Sequence, residues 1–194
     1  MITAVYGGSF DPIHPGHIAI ARHLAQLPSI RRTILMVSPQ NPVKAGSIST
    51  SFADRLAMAR LACQGMEGVK VSDFESSLPS PSYTINTLEA LSEAFPGESF
   101  RIVVGADNWD IIHKWREAGR ILREYGFIVY PRPGYSVPPL HPNVLVLENV
   151  PLHDVSSTGI RERIAAGENP HTMLDQRVSD YILSRGLYRP RMNP

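Results

Sequence analysis

Five short runs along the chain are almost continuously apolar instead of alternating with polar residues. They cover residues 2–6, 33–37, 101–104, 127–130 and 143–147. Such runs are typical of strands that are buried on both faces of a parallel sheet. The pattern therefore predicts a parallel sheet with both of its faces covered.

Helical patterns lie between and after these runs. Pro15 suits the first turn of one helix, Ser51 and Asp54 form a capping pair for a second, and Gly186 ends the last. The alternation predicts an α/β fold, a Rossmann-like single domain over residues 1–194 with a central, mostly parallel sheet flanked by helices. Ligands of such sheets bind beyond the carboxyl ends of the strands, at a topological switch point. The apolar helix faces are formed by Ile20, Leu24 and Leu27, by Phe52, Leu56, Ala59 and Cys63, by Ile85, Leu88 and Leu91, and by Leu174, Val178, Tyr181 and Ile182.

Composition and charge exclude several classes of protein. With 43% hydrophobic and 19% charged residues, the chain is too apolar to be disordered. Its net charge of +1 provides no overall field to attract nucleic acid or a membrane surface, so we expect neither partner. One cysteine allows no intrachain disulfide and no cysteine-rich zinc site. Since no basic leader and no run of ~18 apolar residues is present, we expect a soluble, unprocessed, cytoplasmic protein.

Residues 7–17, Gly-Gly-Ser-Phe-Asp-Pro-Ile-His-Pro-Gly-His, connect the first predicted strand to the first helix. The glycines let the backbone approach a ligand, and the helix start offers free N–H groups to a phosphate. His14 and His17 can donate hydrogen bonds to the same anion, although either alone could serve in packing or capping. The segment lacks the dinucleotide-binding and P-loop patterns, and no third ligand stands at zinc spacing. It predicts a phosphate site of another type.

Two distant elements together resemble a nucleotidyltransferase superfamily. His14-Pro15-Gly16-His17 resembles its His-x-Gly-His mark, and residues 156–161, Ser-Ser-Thr-Gly-Ile-Arg, resemble its second element, a turn that leads into a helix with an inward arginine. Further segments narrow the resemblance to bacterial nicotinate-nucleotide adenylyltransferases and extend it over essentially the whole chain. These are residues 81–88, 105–108 with Trp115 downstream, 132–135 and 186–189.

The resemblance implies that the 5′-phosphate of nicotinate mononucleotide attacks the α-phosphorus of ATP, giving nicotinate adenine dinucleotide and pyrophosphate. Because the nucleophile is already an anion, catalysis reduces to positioning and charge stabilisation. The implied catalytic residues are His17 at the α-phosphate, His14 at the same triphosphate and Arg161 at the β- or γ-phosphate. Mg²⁺ is expected as cofactor, bound through the ATP phosphates without a dedicated protein metal site.

The resemblance also assigns the ATP side of the cleft. Ser157 and Thr158 are expected to cover the N–H groups at the start of a helix over residues 158–166. Asp107 would either accept a hydrogen bond from a ribose or cap a helix over residues 108–113. Together with the three catalytic candidates, the implied ATP-binding residues are Gly7, Gly8, Ser9, Gly105, Asp107, Ser156, Ser157 and Thr158.

On the acceptor side, Lys44 would supply a point charge to the acceptor phosphate. Thr84 would cap its helix, contact the nicotinate carboxylate, or do both, and Trp115 would stack on the pyridine ring or pack in the core. The chain departs from the family pattern at residues 41–44, Asn-Pro-Val-Lys, which replace Pro-Pro-His-Lys/Arg, and at Ser9, which replaces a threonine but keeps the hydroxyl. The implied acceptor-binding residues are Ser9, Phe10, Lys44, Tyr83, Thr84, Trp115 and Arg132.

Two alternatives remain open from the sequence. The first is transfer to another acceptor, such as nicotinamide mononucleotide or phosphopantetheine, because the histidine element and Arg161 specify the triphosphate and not the acceptor. The second is a noncatalytic nucleotide sensor, against which the presence of both histidines, Lys44 and Arg161 argues. The N–H groups at the start of the Thr84 helix favour a carboxylate, so we expect the nicotinate form to be preferred. The sequence leaves a homo-oligomer open.

Overall fold

The computed structural model describes residues 1–39, 49–136, 141–151 and 153–189. Within these ranges six parallel strands form one sheet, in the order β3-β2-β1-β4-β5-β6. The predicted Rossmann-like α/β fold with a parallel sheet is confirmed. The strands are β1 Ile2–Gly8, β2 Ile30–Val37, β3 Val69–Ser72, β4 Ser99–Gly105, β5 Phe127–Tyr130 and β6 Val144–Val146.

Helices follow most of the strands and cover both faces of the sheet. Short 3₁₀ turns lie at Phe74–Ser77, Ile112–Lys114 and Pro170–Thr172. The predicted capping pair at the start of the second helix is confirmed, because Ser51 Oγ accepts the N–H of Asp54 at 3.1 Å. The described helices are α1 Pro15–Gln26, α2 Phe52–Ala62, α3 Thr84–Ala94, α4 Ala106–Asp110, α5 Ala118–Glu124, α6 Ser157–Ala165 and α7 Gln176–Arg185.

Two apolar clusters lie on opposite faces of the sheet. Ala4 and Tyr6 of β1 belong to one cluster, with Leu24 of α1, while Val5 belongs to the other, with Leu88 of α3. Successive residues of a strand point to opposite faces, so a strand covered on both sides needs an apolar residue at every position. This requirement explains the continuous apolar runs.

The strand order places a crevice between β1 and β4. The chain moves outward from β1 through β2 to β3, and then returns to the other side of β1 with β4. The carboxyl ends of β1 and β4, at Gly8 and Gly105, are therefore the topological switch point. A Cβ atom at Gly105 would collide with the carboxylate of Asp107 and lie 3.1 Å from the ring of Tyr130, so a larger residue here would displace the Asp107 side chain from its place in the crevice.

The sequence pattern missed two elements. β3 is a partly exposed edge strand that contains Lys70, and α5 has one buried residue, Ile121, so neither shows a clear apolar signal. The helix predicted over 108–113 is the shorter α4 followed by a 3₁₀ turn at Ile112–Lys114. None of the described helices is long and apolar enough to cross a membrane.

Candidate active site

A cavity of about 510 Å³ opens at the switch point, beyond the carboxyl ends of the strands. The loops after β1 and β4, the end of β5 and the starts of α3 and α6 form its walls. Lys44 lies outside the described residues. Every described candidate from the sequence lines this cavity: Gly7, Gly8, Ser9, Phe10, His14, His17, Tyr83, Thr84, Gly105, Asp107, Trp115, Arg132, Ser156, Ser157, Thr158 and Arg161.

The two histidines are held together at the start of α1. His14 is the residue before the helix and His17 is its third residue, and their rings stack with centroids 3.6 Å apart. The backbone N–H of His14 donates to Nδ1 of His17 at 3.3 Å. Because Nδ1 accepts, the proton of a neutral His17 imidazole resides on Nε2. His17 can therefore donate a hydrogen bond from Nε2.

His14 differs from its neighbour in burial, with 6% of its surface exposed. Burial lowers the pKa of His14 to about 4, and the positive charges of Arg132 and His153 act in the same direction. His14 is therefore neutral at pH 7 and can act as a hydrogen-bond donor without adding charge. Arg132 and Arg161, which line the same cleft, offer positive charge to a triphosphate.

The start of α6 differs by one residue from the predicted arrangement. Ser156, whose backbone is extended, precedes the helix, and its Oγ accepts the N–H of Gly159 at 3.1 Å. The prediction that Ser157 and Thr158 cap the helix is wrong. Only the residue before the first helical one has the backbone conformation that directs its side chain back onto the free N–H groups.

Ser157 and Arg161 instead connect α6 to the β1–α1 loop. Ser157 Oγ donates to the carbonyl oxygen of Pro12 at 3.0 Å. The Arg161 guanidinium donates to the carbonyl oxygen of Asp11 at 2.7 Å and to Thr158 Oγ1 at 3.3 Å. The second sequence element of the superfamily resemblance thus contacts the loop that leads into the first, and a positive charge lies beside this loop.

Arg132 and Asp107 face each other across the second wall. Arg132 Nε lies 3.8 Å from Asp107 Oδ1, and the guanidinium donates to the hydroxyl of Tyr130 at 3.3 Å. Asp107 lies inside α4 and Gly105 precedes the helix, so the capping role considered for Asp107 is wrong. Arg132 also acts on the pKa of His14. The structure thus places this acceptor-side candidate beside two ATP-side candidates.

The start of α3 is open toward the cavity. Tyr83 precedes the helix and Thr84 is its first residue, so the prediction of Thr84 as the cap is wrong. In the described part of the chain, the Tyr83 side chain makes no capping hydrogen bond, and its ring lies 4.9 Å from the Arg116 guanidinium. Trp115 packs partly against an apolar cluster and also lines the cavity. Its place therefore allows both alternatives, packing in the core and stacking on a ligand ring.

The cavity wall also contains an acidic residue, Glu75, that the sequence did not predict. The Glu75 carboxylate is buried and accepts hydrogen bonds from Thr87 Oγ1 at 2.9 Å and from Ser38 Oγ. Ser38 directly follows β2 and could have been found from its place at a strand's carboxyl end. No sequence signal distinguishes Glu75 from a surface glutamate. Its bonds connect the end of β2 to the first turn of α3.

Arg55 of α2 is a second residue without a sequence signal. Its side chain is 1% exposed and donates to the carbonyl oxygens of Ser9 and Ser38 at 2.7 Å each, and of Pro39 at 2.9 Å. Burial lowers the pKa of this guanidinium. The side chain binds the loops after β1 and β2 to each other and so shapes one end of the cleft.

Comparison with known proteins agrees with this geometry. A model of the family described as cytidylyltransferase-like matches residues 5–163. A relative from Bacteroides fragilis, called a probable nicotinate-nucleotide adenylyltransferase, is 40% identical over 94% of this chain and 92% of its own length. The chain belongs to the nicotinate-nucleotide adenylyltransferase family. A second member, from Flavobacterium johnsoniae and with the same description, is 37% identical over 97% of this chain and 100% of its own.

Solved structures share the fold of this nicotinate-nucleotide adenylyltransferase family member. The Plasmodium falciparum nicotinic acid mononucleotide adenylyltransferase complexed with NaAD superimposes with a TM-score of 0.81, covers 96% of each chain and is 21% identical. The same protein complexed with APC gives a TM-score of 0.80 at the same identity and coverage. At this level of identity the likeness establishes the fold, which extends over almost the whole chain.

Proposed function

We propose that this chain is a cytoplasmic enzyme, one nucleotidyltransferase domain over residues 1–194, that transfers the adenylyl group of ATP to nicotinate mononucleotide in NAD biosynthesis. The observation that carries this proposal is the shared cleft at the switch point. Its walls hold a histidine pair and an arginine on one side and an open helix start on the other, in a member of this family. The first set suits a triphosphate and the second suits a carboxylate.

The reaction needs little acid–base chemistry. An oxygen of the acceptor's 5′-phosphate forms a bond to the α-phosphorus of ATP, and the bond from that phosphorus to the oxygen shared with the β-phosphate breaks, which releases pyrophosphate. His17 Nε2 donates to an α-phosphate oxygen as charge grows there, and neutral His14 adds a second donor. Arg161 binds the β- or γ-phosphate and thereby holds the leaving group in line.

Mg²⁺ fits this cleft as an ion brought by the substrate. Among the described residues, no three His, Cys, Asp or Glu side chains are grouped so that they could hold a metal ion. Mg²⁺ commonly keeps several waters and binds through substrate phosphates, so ATP oxygens would be its main ligands. When bound there, it supplies positive charge to the departing pyrophosphate.

The acceptor side rests on α3. The first N–H groups of this helix and its dipole can bind the nicotinate carboxylate, while Trp115 offers its indole to the pyridine ring. A carboxamide of the same shape would turn an NH₂ group toward an N–H donor. Leaving that donor unpaired is costly, so the acid should be preferred over the amide.

The test measures pyrophosphate release with ATP and each of three acceptors. We expect kcat/KM for nicotinate mononucleotide to exceed that for nicotinamide mononucleotide by ~10²-fold or more. Equal values would reject the nicotinate assignment and leave adenylyl transfer in place. Faster reaction with phosphopantetheine would assign another acceptor. Binding of ATP without pyrophosphate release in the presence of any of the three acceptors would support a nucleotide sensor.

A further inference from the structure

The loop that carries the histidines has little regular structure of its own. Residues 9–13 form neither helix nor strand, and Phe10 has a φ of 48°. Residues other than glycine rarely adopt this left-handed conformation, which persists only where the surroundings impose it. The position of the histidines therefore depends on the side chains that bind the loop.

Asp11 is the main anchor of this loop. It is 2% exposed, and both of its carboxylate oxygens are engaged. Oδ2 accepts the backbone N–H and the hydroxyl of Ser49, at 2.8 and 3.1 Å. Oδ1 accepts the hydroxyls of Thr50 at 2.6 Å and Tyr188 at 2.7 Å. Hydrogen bonds to an ionised acceptor are strong, and a buried carboxylate that loses them is costly.

Tyr188 reaches this anchor from the far end of the chain. It follows α7 and the Gly186 turn, and 177 positions separate it from Asp11. Its ring packs against the apolar cluster on the α1 side of the sheet. Burial and the neighbouring carboxylate raise the pKa of Tyr188, so its hydroxyl stays protonated and donates.

Asp11, which accepts the Tyr188 hydroxyl, and the residue after it also contact the helix that is proposed to bind the triphosphate. The carbonyl oxygen of Asp11 accepts from Arg161 at 2.7 Å, and that of the next residue, Pro12, accepts from Ser157 at 3.0 Å. His14 follows two residues later. A shift of Asp11 would therefore change the distance between the histidine pair and the arginine.

We propose that Tyr188 is a positioning residue for adenylyl transfer, which acts through Asp11 to set the spacing of the histidine pair and Arg161. This inference rests on the proposed function. Phosphoryl transfer is sensitive to such spacing, because a misplacement of about 1 Å can cost ~10²-fold in rate. The C-terminal turn thus belongs to the machinery of the cleft, although the Tyr188 side chain does not line the cavity.

Tyr181 provides a matched control within the same part of the chain. Its hydroxyl donates to Oδ1 of Asp54 at 2.9 Å, and neither residue lines the cavity. Tyr181→Phe and Tyr188→Phe each remove one tyrosine–aspartate hydrogen bond, and because Tyr188 is the more deeply buried of the two, Tyr188→Phe should lower the melting temperature more. They differ in whether the aspartate supports the histidine loop.

The experiment measures steady-state kinetics and melting temperature of the full chain carrying each substitution. For Tyr188→Phe we expect kcat/KM for ATP to fall about tenfold or more, with KM for nicotinate mononucleotide within about twofold of wild type. All steady-state constants of Tyr181→Phe should stay within about twofold of the wild-type values. Thr50→Val with Tyr188→Phe leaves Oδ1 of Asp11 without either donor, so the loss should be larger.

Equal kinetic losses in the two tyrosine variants, or unchanged kinetics in a folded double variant, would overturn the proposal. If Tyr188→Phe does not fold, Thr50→Val alone serves as the variant, because it removes the neighbouring donor to the same oxygen. A wild-type chain inactive with every acceptor would instead reject the proposed function. The dissociation constant of a non-hydrolysable ATP analogue then decides the positioning role: an increase of about tenfold in Tyr188→Phe alone supports it, and no difference between the variants refutes it.

Discussion

At the scale of single residues, His14 and His17 have different tasks although they are adjacent on one helical turn. The stacked arrangement brings the rings 3.6 Å apart, where two protonated imidazoles would repel each other. Burial keeps His14 neutral, while the bond from its backbone N–H directs the proton of a neutral His17 to Nε2. Under the proposed function, both imidazoles can donate hydrogen bonds as negative charge develops on the α-phosphate.

Replacement of His17 by alanine tests its role in the transition state. We expect kcat to fall by ~10²–10³-fold with a smaller change in KM for ATP, because the donated hydrogen bond strengthens as the α-phosphate gains charge. Steady-state kinetics of pyrophosphate release measure both constants. His23→Ala, in the last turn of the same helix, is the control and should leave both unchanged. A near-normal kcat in His17→Ala would remove His17 from the mechanism.

The lowered pKa of His14 predicts a pH dependence of stability. In the unfolded chain this group binds a proton below its usual pKa of 6.5, whereas in the folded chain it does so only near pH 4. The unfolded state therefore binds more protons in this window, and the free energy of unfolding falls as the pH is lowered.

Chemical denaturation at several pH values between 7 and 4 measures this effect. Relative to His14→Gln, which cannot titrate, the wild type should lose up to about 3 kcal/mol of unfolding free energy across the window. The comparison cancels the titration of all other groups. Parallel pH profiles for the two proteins would contradict the assigned neutral state of His14.

At the scale of elements, the helix starts decide what each wall of the cleft can bind. Ser156 and Ser51 cap their helices with side-chain oxygens, whereas Tyr83 leaves the start of α3 open. The sequence identified Ser51 correctly but placed the other two caps one residue or more too late. A sequence locates a helix start only to within about this distance, because neighbouring hydroxyl residues all satisfy the preference of the capping position.

Thr84→Pro removes one N–H group from the open start of α3. Proline is well tolerated at the first helical position, and Tyr83 already has the extended backbone that a following proline requires. We expect the ratio of kcat/KM for nicotinate over nicotinamide mononucleotide to fall by about tenfold, since a donor to the carboxylate is lost. Thr84→Ala keeps the N–H and should retain most of the preference. A larger effect of Thr84→Ala would assign the recognition to the hydroxyl instead.

At the scale of the whole molecule, the sheet order unites segments that are far apart in the chain. The loops after β1 and β4 meet because the chain reverses its direction of propagation between β3 and β4. α6 then crosses back to the first of these loops through Arg161 and Ser157. These segments form the walls of the cleft. Under the proposed function, Mg²⁺ enters the cleft together with ATP.

Removal of divalent cations separates the contribution of Mg²⁺ to the reaction from the stability of the protein itself. With EDTA, pyrophosphate release should stop and recover on addition of Mg²⁺, while the melting temperature of the unliganded chain should stay unchanged, because the ion is expected to bind through the ATP phosphates. Differential scanning calorimetry and the activity assay measure the two effects. A drop in melting temperature with EDTA alone would show that the protein itself holds a metal ion.

The sequence by itself determined the parallel α/β fold and most of the candidate cleft. Continuous apolar runs suffice to predict strands that are covered on both faces. Residues 7–17 and 156–161 are local patterns, which can be recognised in the sequence without the fold. β3 escaped detection because an edge strand needs fewer apolar residues.

Tertiary structure alone decided how the cleft is supported. Glu75, Arg55 and Tyr188 are ordinary polar or aromatic residues in the sequence, and each owes its role to partners from other elements. Burial gives their hydrogen bonds their importance, because a polar group removed from water must find partners inside the protein. That burial arises only when the strands are ordered around β1, so a local pattern cannot encode it.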